Sequence, residues 1–397
     1  MKKILAMLLA MVMVMGLVAC GTESAETTGT PVESTPTSTP DESTPETKAP
    51  VASDAAYKIA MITDYGDITD QSFNQTTYEA CKAFAEENNI PFTYYKPAGN
   101  STAERVAMVD AAVVGGYNVI VMPGFAFGET LTEVADAYPD VKFVALDVAD
   151  GEGGFHATEN VYSAIYQEEL SGYMAGYAVV KIGYKHLGFL GGMAVPAVQR
   201  FGYGFLQGVD AAAKELNITG DVVVEYVYGG AFEGHADITA VMDAWYGEKG
   251  VEAVFACGGG IFTSAAEAAA KVGGKVIGVD SDQAPVIDGM YKVEGMTLTS
   301  AMKGLAPTVK DTLAAIILED NWADYAGKIE SLGLVSADPE ANYVQLPMES
   351  TQWCDTFTKD DYKALVAAMF EGTLKVSNDI SAMPTTDVVV NTYDNIK

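Results

Sequence analysis

The 397-residue chain carries 54 acidic and 23 basic residues, a formal charge of −31. That balance excludes nucleic-acid polymers as partners and an electrostatic grip on anionic lipid. Four cysteines with no C-x-x-C and three scattered histidines give no zinc or redox motif and no disulfide framework; Cys81 and Cys257, in apolar stretches, read as buried free thiols.

Lys2 and Lys3 precede an apolar run over 4–18, followed by Ala19-Cys20-Gly21. A charged start, a short apolar core and small residues predict a secretory leader over 1–19, too short for a membrane span. The ending Leu17-Val18-Ala19-Cys20 resembles a bacterial lipobox, which implies cleavage before Cys20 and a diacylglycerol on its sulfur. Loss of Lys2 and Lys3 takes the charge from −31 to −33. Residues 20–56 contain no aromatic residue and are rich in Ser, Thr and Pro, so they cannot bury a core and read as a disordered tether.

The remaining 341 residues are enough for two domains. Residues 57–63 (YKIAMIT) read as a strand, and 76–89 as a helix with Tyr78, Cys81, Phe84 and Ala85 at helical spacing. Between them lies Asp64-Tyr65-Gly66-Asp67-Ile68-Thr69-Asp70-Gln71-Ser72-Phe73-Asn74-Gln75, the first strand-to-helix loop. Ser72 with Gln75 three residues on predicts a capping box, which sets Phe73 and Asn74 in the first helical turn. The loop contains neither G-x-G-x-x-G nor G-x-x-x-x-G-K-[ST], which excludes the dinucleotide and P-loop readings. Its three aspartates do not have EF-hand spacing; Asp67 and Asp70 alone read as helix-capping residues.

A strand at 92–96 is followed by a capping box at Ser101 and Glu104, which opens a helix to about 114. The strand 118–122 ends in the loop 123–128, a helix runs to 138, and the strand 141–146 ends at Asp147. The alternation restarts with a helix over 164–180 and a strand at 186–190. After it come a helix over about 200–216, a strand at 222–228 and the Gly-rich loop 229–234. A helix over 237–247, a strand at 253–256, a helix at 262–272 and a strand at 275–279 lead to Asp280-Ser281-Asp282-Gln283. A helix at 305–318 and one more at 359–370 complete the set. Strands alternating with helices predict an α/β class with parallel sheets. Two successive units predict two lobes across a cleft, with crossings near Asp150 and near 297–300. The first lobe is drawn as 57–159 plus about 301–326, the second as 160–300 plus about 327–397. Open α/β sheets bind ligands beyond the carboxyl ends of their strands, so the strand-end loops are the candidate site.

In order, those loops hold Asp64, Ser72-Phe73-Asn74-Gln75, Gly124-Phe125, Asp147, Phe232, Gly258-Gly259, Asp280-Ser281-Asp282-Gln283 and Thr299-Ser300 with Lys303. The set resembles the basic membrane protein family of extracytoplasmic substrate-binding lipoproteins, and within it the purine nucleoside receptors of ABC importers. The likeness runs from Lys58 to Lys303 and rests on D-x-G-x-x-x-D-x-S-F-N-Q together with G-V-D-S-D-Q. It implies a type I periplasmic-binding-protein fold, two Rossmann-like lobes on a hinge. It further implies a purine stacked between Phe73 and Phe232, with its base hydrogen-bonded by Asp64, Asn74 and Asp147. The ribose would be held by Asp280 and Lys303, with Gly124 and Gly258 allowing close approach. A permease partner, a lipid anchor at the cell membrane through Cys20, a monomeric state and no cofactor follow from the same likeness. Asp67, Ala126 and Glu233 depart from the family pattern.

Taken residue by residue, Phe73 also suits a core position at a helix start, Asp280 a cap and Lys303 a solvated lysine. A sugar or flavin receptor on the same fold stays an alternative. A calcium-dependent nucleoside hydrolase is a lesser alternative, since Asp64-Tyr65-Gly66-Asp67 breaks the D-x-D-x-x-x-D-D pattern such enzymes resemble; release of free base with added Ca²⁺ would revive it.

Overall fold

The structure, a computed structural model, describes residues 56–397. The leader expected over 1–19, the expected lipidation site Cys20 and nearly all of the expected tether 20–56 lie outside the described residues.

The first lobe runs β1 (Ile59–Ile62), α1 (Phe73–Glu87), β2 (Phe92–Tyr95), α2 (Thr102–Val114), β3 (Val119–Pro123), α3 (Phe127–Val134), β4 (Lys142–Leu146) and β5 (Val161–Tyr166). The chain then crosses and repeats the plan. The second lobe runs α4 (Glu168–Ile182), β6 (His186–Gly191), α5 (Pro196–Leu216), β7 (Val223–Tyr228), α6 (Ala236–Ala244), β8 (Ala253–Cys257), α7 (Phe262–Val272), β9 (Lys275–Asp280), α8 (Ala284–Tyr291) and β10 (Thr297–Lys303). It then returns for α9 (Leu305–Ile317) and β11 (Ile329–Leu332), and crosses a last time to β12 (Val344–Gln345), α10 (Lys359–Phe370) and β13 (Val389–Thr392).

The first sheet has the order β11-β5-β4-β3-β1-β2, the second β12-β10-β9-β8-β6-β7-β13. All pairings are parallel except that of β10 with β12. The inner strands are apolar because both faces are covered by helices. Ile59, Met61, Val119 and Val121 point to the core under α1 and α9, while Ala60, Ile62, Ile120 and Met122 alternate to the opposite core under α2 and α3. The second lobe divides in the same way, with Leu187, Phe189 and Phe255 on the α4–α5 side and Leu190, Val254 and Ala256 on the α6–α7 side.

Three differences from the sequence reading concern the hinge. The stretch 164–180 is not one helix: Ala164-Ile165-Tyr166 complete β5, and α4 starts at Glu168. Only Gln167-Glu168-Glu169 separate the apolar strand from the apolar run of the helix, residues that suit a helix interior, with no Gly or Pro between them, so periodicity alone does not divide the two. The first lobe therefore extends to Tyr166 rather than 159, and the first crossing lies at Gln167 rather than near Asp150. β11, read as part of the second lobe, pairs with β5 and belongs to the first sheet. It is a short, polar edge strand, a type with little sequence signature. The second crossing comes at Gly304, after the whole of β10.

Candidate ligand-binding site

A cavity of about 660 Å³ lies between the two sets of strand ends. Asp64, Phe73, Asn74, Gly124, Asp147, Phe232, Gly258, Asp280 and Lys303 all line it. Its volume is within the range of about 300–1,000 Å³ common for small-molecule sites. Asp64, Phe73, Asn74, Gly124 and Asp147 come from the first lobe, and Phe232, Gly258, Asp280 and Lys303 from strands or loops of the second.

The loop after β1 is built differently from its predicted capping box. Ser72 precedes α1 but its side chain makes no cap. Asp70 does that work: its Oδ1 accepts from the Ser72 and Gln75 backbone N–H (3.0 and 3.0 Å), and its Oδ2 from the Asn74 N–H (2.9 Å). A carboxylate at a helix N-terminus is favoured both by the orphan N–H groups and by the dipole. Asp70 also holds Asn74 Nδ2 at 3.1 Å, which leaves Asn74 Oδ1 buried and without a partner. The Ser72 hydroxyl is freed to donate across the cleft to Asp280 Oδ2 at 2.7 Å. Beside it, Gln283 Nε2 donates to the Gln71 backbone carbonyl at 3.1 Å, so two side chains, Ser72 and Gln283, bridge the lobes at this lip.

Asp64 Oδ1 accepts from the N–H groups of Tyr65 (2.7 Å) and Gly66 (2.9 Å). Burial pushes its carboxyl above the ordinary carboxylate range, against the pull of those two donors. Gly124, at φ +129°, makes room for it: a Cβ there would lie 2.4 Å from Asp64 Oδ2. In the second lobe Gly258 occupies the corresponding strand end at φ +137°, and a Cβ there would lie 2.7 Å from the Phe232 ring. The space left open at Gly258 is thus used by Phe232.

Asp147 ends β4 at φ +64° and Asp280 ends β9 at φ +65°. Asp tolerates this left-handed region better than most residues, and such conformations gather at functional sites. Lys303 Nζ lies 2.6 Å from Asp147 Oδ2 and 3.1 Å from Glu168 Oε1, and Glu168 Oε2 takes Arg200 Nε at 2.5 Å. This chain of alternating charges is nearly dry; Glu168 is 0% exposed and Lys303 4%. Burial lowers and the carboxylates raise the Lys303 ammonium, with a net upward shift; burial raises Glu168, but Lys303 and Arg200 hold it below its ordinary range. The ammonium also sits 5.1 Å from the centre of the Phe73 ring and 5.4 Å from that of Phe201. Asp147 Oδ1 is left buried and unpaired. Asp280 is pushed up to about 6 by burial, against Lys303 and the Ser72 hydroxyl.

Of the loop aspartates, Asp67 pairs with Lys96 at 2.7 Å at the exposed rim. Cys81 and Cys257 are free and buried, and Cys257 borders the cavity. Sequence reasoning missed Glu168, Arg200 and the Ser72–Asp280 bridge. Arg200 next to Phe201 carried a signal, since a charge inside an apolar helix needs a buried partner. The bridge spans 208 positions and leaves no local pattern. Chemically, the cavity offers aromatic residues from both lobes, the unpartnered acceptors Asn74 Oδ1 and Asp147 Oδ1, a buried cation in Lys303 and a second, Lys96, at the rim, which suits a flat ligand rich in proton donors.

A sequence profile of the family described as "ABC transporter substrate-binding protein PnrA-like" matches residues 57–334. The chain is 30% identical over 272 residues to the ABC transporter nucleoside-binding protein BmpA of Lactococcus lactis, covering 64% of this chain and 73% of that one. It is 25% identical over 300 residues to basic membrane protein B of Borreliella burgdorferi, covering 73% and 83%. Among solved structures, an ABC transporter solute-binding protein of Aeropyrum pernix superposes with a TM-score of 0.62 at 24% identity, covering 82% of this chain and 88% of that one. That likeness is one of fold.

Proposed function

Since this chain belongs to the PnrA-like family of ABC transporter substrate-binding proteins, we propose that the ligand it captures is a purine nucleoside. As in the rest of that family, its task is binding rather than catalysis. The observation that carries the reading is the lining of the cavity. Phe73 and Phe232 reach it from opposite lobes, among the unpaired acceptors Asn74 Oδ1 and Asp147 Oδ1. A base between two aromatic faces gains about 1–3 kcal/mol per stack. Asp64, Asn74 and Asp147 receive the N–H groups of the base; Asp280 receives ribose hydroxyls, and Lys303 donates to a ribose oxygen. The relative from Lactococcus lactis, named for nucleoside binding, supports this assignment.

Because ligand touches both lobes, it binds the closed arrangement better than an open one and shifts the hinge equilibrium toward closure. The closed form is what a permease would read. The lipobox ending at Cys20 supports a lipid anchor on the extracytoplasmic face. We further propose a monomeric state, which rests on the family resemblance alone.

The test is a thermal-shift panel of purine and pyrimidine nucleosides, free bases, riboflavin and sugars. A ligand that binds only the native state raises the midpoint by mass action. A rise confined to purine nucleosides supports the reading. A rise with a sugar or flavin and none with any nucleoside overturns the ligand and leaves the receptor.

A further inference from the structure

The last part of the chain lies beyond residues 57–334, which match the family, and it runs up against the loop that carries Phe232. β13 lies parallel to β7, with Val389 opposite Val223 and Thr392 opposite Tyr226. It covers a sheet edge whose counterpart in the first lobe, β2, ends its sheet uncovered. Asp210 Oδ1 anchors the start of the strap by accepting from the N–H groups of Asp387 (2.7 Å) and Val388 (3.1 Å). Past β13, the Tyr393 N–H donates to the Tyr226 carbonyl (3.0 Å), and its hydroxyl bonds the Glu225 carboxylate. The Ile396 N–H then donates to the Tyr228 carbonyl at 3.0 Å, at the root of the 229–234 loop. Lys397 lies against Gly230: a Cβ on that glycine, at φ +82°, would sit 2.8 Å from the Lys397 backbone oxygen. From the other side, the loop is held by the Gly230 N–H on the Gly192 carbonyl (2.9 Å) and by the Phe232 carbonyl, which accepts from the Gly260 N–H (2.8 Å). Gly230, Ala231 and Phe232 all line the cavity.

A Gly-Gly-Ala approach to an aromatic residue has wide backbone freedom, and ordering it at the moment of binding would subtract from affinity. We propose that residues 393–397 are a positioning element of the ligand site, which pre-orders the Gly229-Gly230-Ala231 backbone and so sets the ring of Phe232 toward the cavity. This rests on the reading that Phe232 stacks on the ligand. It makes the strap a part of recognition, in addition to its burial of the β7 edge.

Two variants of the full chain separate this from a loss of fold. One stops after Tyr393, which keeps β13 and its anchor; the other, Ile396→Pro, removes the N–H that the Tyr228 carbonyl accepts, and Ile396→Ala serves as the control for the side chain that packs on the α6–α7 core. Amide exchange is followed across 229–234 and across β7 and β8, and inosine is titrated in the parent and in a Phe232→Ala background. The expected result is exchange about tenfold faster in the 229–234 loop with β7 and β8 unchanged. Inosine affinity is expected to fall about three- to tenfold in the parent background and to stay unchanged once Phe232 is already alanine. Unchanged loop exchange in both variants overturns the proposal, as does an equal loss of affinity in the two backgrounds. If inosine does not bind the parent, adenosine and guanosine are titrated in its place; if none of the three binds, the nucleoside assignment fails, and the exchange data still decide the role of the strap.

Discussion

The two lobes are built on one plan and furnished differently. In each, the strands run second-first-third-fourth-fifth across the sheet, β2-β1-β3-β4-β5 against β7-β6-β8-β9-β10. At the end of the third strand stands a glycine, Gly124 or Gly258, and at the end of the fourth a left-handed aspartate, Asp147 or Asp280. The repeat explains why both carboxylates reach the cavity: the same backbone delivers them. Their surroundings then diverge. Asp147 faces the Lys303 ammonium in a buried network with Glu168 and Arg200, whereas Asp280 bonds the uncharged Ser72 hydroxyl of the opposite lobe. Topology places the groups, and the partner sets what each can do: one aspartate is fixed to the hinge, the other joins the lips of the cleft.

Removing the cation should expose that difference most strongly. Lys303→Met leaves Asp147 without its partner in a dry site, and breaking a buried pair from one side costs about 3–5 kcal/mol. Urea unfolding at neutral pH should show a loss of that order, partly recovered in Lys303→Met/Asp147→Asn. A loss under about 1 kcal/mol, as for an exposed pair, would mean that the two aspartates are not differently held.

The pH response should report on the second lobe. Burial raises Asp280 from its ordinary 3.8 to about 6, so the folded state binds this proton more tightly than the unfolded chain. The stability that the protonated carboxyl contributes is present at the acid end and is lost as pH rises through about 6. Glu169, raised to about 7 by burial, acts with the same sign, so the informative quantity is a difference between proteins. Asp280→Asn should flatten the slope of unfolding free energy between pH 4 and 6, in steps measured by urea titration, relative to the parent. An unchanged slope would contradict a desolvated Asp280.

A smaller effect is expected from Ser72→Ala. It deletes one interlobe hydrogen bond, worth about 0.5–1.5 kcal/mol and more where the acceptor is charged. Because Asp70 rather than Ser72 caps α1, helix stability should be spared and the loss should appear in closure. Small-angle scattering should show a larger mean radius of gyration for the ligand-free variant than for the ligand-free parent. A drop in thermal midpoint with no change in scattering would return Ser72 to an ordinary cap.

Much of this organisation was readable in the chain. The buried parallel strands are short apolar runs between helical spacings, and Phe262–Val272 and Lys359–Phe370 are helices at the bounds read from the sequence. The candidate residues cluster because strand-end loops converge in this class of fold, and the resemblance of two loop motifs sharpened which of them to choose. What escaped were pairings set by distant parts of the chain. β5 runs into α4 without punctuation, and β11 is a polar edge that its neighbour defines. The Ser72 cap was displaced by a carboxylate two residues earlier because Ser72 has a better partner 208 positions away. The Glu168–Arg200 support of Lys303 joins three elements, α4, α5 and β10, that no local spacing links.

The central claim is that one purine nucleoside is gripped by an aromatic face from each lobe. Calorimetric titration of adenosine, guanosine and inosine into the parent, Phe73→Ala and Phe232→Ala tests it most directly. The account predicts one site per chain in the parent and a loss of about 1–3 kcal/mol of binding free energy from each substitution. Nucleoside binding that survives both substitutions undiminished, or no nucleoside binding by the parent, would contradict it.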